Sequence, residues 1–100
     1  MVRAASVVRA ALVEVLAPRD PRAAADVLRA QAQGLIAQRG RASYAEACGC
    51  LARAQAMLVG VGAGALAERW VDEVRAQHGN LPALTQLLDL HFGEPARAAG

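Results

Sequence analysis

The sequence predicts an all-α fold of about five helices arranged as antiparallel helical hairpins. Three observations carry that expectation. Alanine supplies 25 of the 100 residues, and it is the strongest helix former. Aromatic residues amount to only 3%, which leaves little with which to build a sheet. Apolar residues recur at spacings of three and four between breaks marked by proline and glycine, the period of a helix with one buried face. A chain of 100 residues is one domain in size, and surface scaling lets it bury roughly 64% of its unfolded area. Hydrophobic residues at 55% against 20% charged exclude an intrinsically disordered chain. A single helical domain over residues 1–93 is expected, followed by a flexible tail over 94–100.

The elements follow from local punctuation. The first helix spans about Val2 to Leu16, with Val8, Leu12, Val15 and Leu16 on one side, and it ends before Pro18. Asp20 followed by Pro21 marks the next start, an N-cap acceptor and then proline at the first helical position. That helix runs to about Arg39, turns Ala24, Val27, Leu28, Leu35 and Ile36 inward, and stops at Gly40. Ser43-Tyr44-Ala45-Glu46 reads as a capping box opening a third helix, whose stripe is Tyr44, Ala47, Cys48, Leu51, Ala54 and Leu58. Gly60-Val61-Gly62-Ala63-Gly64 breaks it. A fourth helix, about Ala65 to His78, stacks Leu66, Trp70 and Val74 at intervals of four, with Trp70 as a core anchor. Gly79 stops it and Asn80 caps a fifth, about Leu81 to Phe92, carrying Leu81, Leu84, Leu87 and Leu88. Short loops imply that consecutive helices lie side by side and antiparallel.

Net charge is +2, and all eleven basic residues are arginine. Residues 1–41 hold seven arginines against three acids, giving +4; residues 42–100 hold four against six, giving −2. The densest basic cluster is Arg39-Gly40-Arg41, too small for the stripe a nucleic-acid footprint needs, so nucleic-acid binding by this chain alone is not expected. Two cysteines do not make a disulfide scaffold. The longest uncharged stretch, Ala54 to Ala67, is 14 residues and too short to span a bilayer. No secretory signal is read at the start, so a cytoplasmic setting is expected.

Four features of the sequence bear on chemistry. Gly60-Val61-Gly62-Ala63-Gly64-Ala65 fits the G-x-G-x-x-A form of a dinucleotide loop. The stretch before it continues a helix rather than a strand, and no acid stands about 20 residues on to hold a ribose. Cys48-Gly49-Cys50 has the form of a metal half-site, yet helical residues two apart point roughly 200° apart. His78 suits the negative end of its helix, and no acid or nucleophile stands beside it or His91. Neither a hydrolytic triad nor a carboxylate pair assembles from the two serines and the scattered acids. No catalytic, cofactor-binding or metal-ligating residue is therefore expected, and no cofactor.

The Tyr44, Ala47, Leu51 and Ala54 spacing resembles the second helix of a tetratricopeptide-type repeat, in which small residues let two helices nest. Trp70 to His78 followed by Leu81-Pro82-Ala83-Leu84 and Leu87-Leu88-Asp89 resembles the helical tail of bacterial SWIM zinc-finger proteins. The likeness spans about Asp20 to Asp89. The SWIM signature itself, CxC followed by CxH, is absent, so the family's zinc chemistry is not carried over. What the resemblance implies is a short, solenoid-like stack of helical hairpins that acts as a scaffold.

The function expected is a non-enzymatic interaction module, binding another protein chain or a second copy of itself through an apolar face left open at either end of the stack. The candidate residues are Val8, Leu12 and Leu16 at one end and Leu84, Leu87 and His91 at the other. The alternatives are an accessory of a nucleic-acid-associated, SWIM-type system and a nucleotide-binding protein using the Gly60–Gly64 loop.

Overall fold

The computed structural model describes residues 11–93. Helix α1 is described over residues 11–16. It is followed by α2 (Pro21–Gln38), α3 (Arg41–Gly60), α4 (Gly64–Gln77) and α5 (Pro82–Phe92). No strand occurs among the described residues, and the all-α expectation holds.

Each boundary has a local cause. After α1 the chain turns through Pro18, with the Arg19 and Asp20 N–H groups both donating to the Leu16 carbonyl. The Asp20 carboxylate then accepts from the Ala23 N–H at 3.1 Å and caps α2, with Pro21 in the first turn. The turn into α3 differs from the sequence expectation. Helix α2 stops one residue early, Arg39 takes φ 60° and ψ 138°, and Gly40 (φ 126°) becomes the N-cap of α3. The Ser43 capping box does not form: Ser43 lies inside α3, and its hydroxyl faces the Gln38 side chain at 3.5 Å. The sharp turn at Arg39-Gly40 starts the helix two residues before the serine.

The α3–α4 turn is a Schellman motif. Gly62 sits at φ 76°, its N–H donates to the Val59 carbonyl at 3.1 Å, and the Ala63 N–H reaches back to Leu58 at 2.7 Å. Leu58 and Ala63 pack in the same cluster beneath it. At α5 the N-cap is Leu81 rather than Asn80, without a side-chain cap bond, and Pro82 occupies the first turn. Gly93, at φ 77°, closes α5 with its N–H on the Asp89 carbonyl at 2.8 Å.

Helix α3 is the spine, packing against α2, α4 and α5. Its stripe Tyr44, Ala47, Cys48, Leu51, Ala54 and Leu58 is buried throughout, as the spacing predicts. Two clusters share it. The N-terminal half of α3 meets Ala32, Leu35 and Ile36 of α2, Val71 and Val74 of α4, and Leu84 and Leu88 of α5. The C-terminal half meets Val13 of α1, Ala24, Ala25 and Leu28 of α2, and Ala67 and Trp70 of α4. The pairing runs in opposite directions along α2 and α3, and along α3 and α4, so both are antiparallel hairpins. Helix α5 departs from the simple hairpin series: it seats chiefly on α3 and touches α4 little.

Candidate interaction surface

The residues expected at the open ends divide into three groups. Val8 lies outside the described residues. Leu12 is 43% exposed and Leu16 is half-buried against the Val13 cluster. At the other end Leu84 is fully buried in the core, so it holds α5 in place and belongs to no open face. Leu87 is half-buried beside the same cluster, and His91 is exposed with its ring 6.1 Å from that of Phe92.

Two further outward residues, Val15 and Leu90, lie outside that candidate set. On α1 the buried side chain is Val13, so the stripe of Leu12 and Val15 is rotated away from the core and Val15 stands 59% exposed. On α5, Leu84 and Leu88 form the inner face, and Leu90 projects outward at 78% exposure. The signal for Leu90 was present: it falls about 140° from the Leu84/Leu88 direction on a helix with 100° per residue. Val59 and Val61 are also exposed, at the α3–α4 turn. The outer side of α5 is almost without charge. Its one acid, Asp89, receives a hydrogen bond from Arg75 at 2.5 Å.

Elsewhere the surface is charged, and ion pairs join neighbouring helices. Arg29 of α2 donates to Glu73 of α4 at 2.5 Å, and its guanidinium lies 4.8 Å from the centre of the Trp70 ring. Arg53 of α3 approaches Glu14 of α1 at 3.7 Å. Arg75 bridges α4 to α5, donating to Asp89 and, at 2.6 Å, to the Gly93 carbonyl. No described residue of the core is polar or charged.

The sites tested for chemistry have plain geometry. Residues 56–60 are helical, and the Val61, Gly62 and Ala63 N–H groups all donate to α3 carbonyls, so these three are not free to cradle a phosphate. Cys48 is buried among apolar side chains, and that burial raises its thiol from an ordinary 9.0 to about 11 against the opposing pull of Arg75. Cys50 is half-buried on another side of α3 and is raised by burial too, with Arg53 opposing and Glu46 adding. Among the described residues no group of three or more potential ligands could hold a metal ion. His78 ends α4, its N–H on the Val74 carbonyl and its own carbonyl accepting from Leu81. No described helix is long and apolar enough to cross a membrane.

Compared with known proteins, the chain matches no family model, no curated protein and no solved structure.

Proposed function

We propose that this chain is a helical interaction module that binds another protein chain or a second copy of itself through apolar side chains on its outermost helices. The observation that carries the reading is Leu90, 78% exposed on a helix whose inner leucines are fully buried. A helix apolar on two sides is suited to neighbours on both. Leu87 borders Leu90 on α5, and Leu12 and Val15 offer a second apolar face on α1. The nesting of α2 against α3 through alanines suits the tetratricopeptide-like scaffold that the Tyr44, Ala47, Leu51 and Ala54 spacing suggests. Recognition would rest on shape and apolar burial, on the ordinary scale of about 800 Å² per partner.

Light scattering over a wide concentration range tests this, with Leu90→Glu and Val15→Glu as comparisons. The expected result is a mass above 10.4 kDa that rises with concentration and falls back in one of the variants. A strict monomer at high concentration, with no co-purifying protein that either variant releases, contradicts it.

A further inference from the structure

We propose that α5 is a strap that swings off the α3 spine as a unit, without unfolding the rest of the molecule, and that Arg75 is its latch. Three observations carry this. The fully buried seat is small: α5 buries two side chains completely, Leu84 and Leu88, with Ala83, Leu87 and Phe92 half-buried beside them, whereas α2 and α3 each bury six. The helix has 11 residues and no side-chain N-cap, and isolated helices shorter than about 12 residues are marginal in water. The polar attachment is concentrated in one side chain. Arg75 grips α5 at two points of its last turn, the Asp89 carboxylate at 2.5 Å and the Gly93 carbonyl at 2.6 Å. The guanidinium fork suits such a two-point grip, which an ammonium could not reproduce. Units with few buried contacts open below the global unfolding free energy, so release of this one grip would let α5 leave before the α2–α3 hairpin separates.

The molecule carries a probe for the motion. Cys48 is fully buried in the cluster that Leu84 and Leu88 complete, so lifting α5 bares its thiol. Labelling by a small maleimide is followed in full-length protein carrying Cys50→Ala, across low denaturant concentrations. The expected result is labelling faster than global unfolding permits, with a denaturant slope well below that of global unfolding, and with Arg75→Gln raising the rate about tenfold. Arg29→Gln, which cuts the corresponding α2–α4 ion pair, leaves the rate unchanged. Charge alone predicts the opposite sign for Arg75→Gln: removing a cation near Cys48 disfavours the reactive thiolate. Asp89→Asn gives a smaller acceleration and adds little to Arg75→Gln. The proposal is overturned if Cys48 labels only along the global unfolding line. It is equally overturned if Arg75→Gln changes the rate no more than Arg29→Gln does.

Discussion

At one end of α3, Tyr44, Ala47, Cys48 and Leu51 meet leucines and valines arriving from α2, α4 and α5. At the other, Ala54 and Leu58 meet Val13, the alanines of α2 and Trp70. The first compartment is filled largely by branched side chains and closed by a helix held through two buried leucines, the half-buried side chains beside them and one arginine. The second relies more on close approach, with Ala24, Ala25, Ala54 and Ala67 letting backbones near one another and Val13, Leu28, Leu58 and the Trp70 ring filling what is left. Arginine seals both, but differently. Arg75 is well covered, with its side chain 14% exposed, and grips the end of α5 at two points. Arg29 lies across the Trp70 face and reaches Glu73 from a more exposed position. The same spine thus supports one compartment that is sealed by its own hairpins and one whose cover is separately attached.

The largest expected contrast comes from cutting one leucine in each compartment. Leu58→Ala leaves a cavity that no strap can relieve, and about 3–5 kcal/mol should be lost in urea unfolding. Leu88→Ala should cost less, about 2–3 kcal/mol, because α5 can lift away, and its urea slope should fall as the transition loses cooperativity. Equal losses with equal slopes would erase the distinction between the compartments.

Next in size is an alkaline effect confined to the α5 compartment. The Cys48 thiol holds its proton more tightly in the folded protein, so its contribution is fully present below pH 9.0 and disappears as the pH climbs through about 11. In a Cys50→Ala background, stability should drop by at most about 2–3 kcal/mol across that window, and Cys48→Ala should flatten the curve. An unchanged slope in the Cys48→Ala protein would show that the buried thiol does not govern it.

How far the sequence foretold this contrast depends on which signal was local. Pro18, Asp20-Pro21, the Gly60–Gly64 run and Pro82 act on the backbone within a residue or two, so the helices were legible with nearly correct ends. The α3 stripe was legible in full because a spine helix packed along its length keeps one strict period. The partner of α5 was not. Chain order suggested α4, while packing seats it on α3; the helical period separates Leu90 from the Leu84/Leu88 side, but it does not say what that side packs against. Val13 was hidden in the same way, since Leu12, Val15 and Leu16 form the more obvious stripe. Ser43 misled because its capping pattern is genuine chemistry overridden by the turn at Arg39-Gly40.

Smaller effects sharpen the comparison at its polar seams. Arg29→Gln removes a partly exposed ion pair and the stacking on Trp70, and should cost about 1 kcal/mol with a shift in tryptophan emission. Emission unchanged from the parent would separate Arg29 from the ring. The smallest change should be a gain. Arg39 adopts a positive φ that a side chain disfavours, so Arg39→Gly should raise the unfolding free energy by about 0.5 kcal/mol after the added chain entropy is counted. A loss there would mean that the arginine side chain contributes more than its backbone strain costs.

The central structural claim is that α3 is a spine common to two compartments, only one of which has a detachable cover. Residue-resolved native-state hydrogen exchange tests it most directly. Amides around Leu51 and Ala54 should be the slowest in the molecule and share the global unfolding free energy, while those of residues 86–92 exchange measurably faster through an opening that denaturant promotes less steeply than global unfolding. If α5 amides are protected as strongly as those of α3, or if the two halves of α3 exchange with separate free energies, the account is wrong.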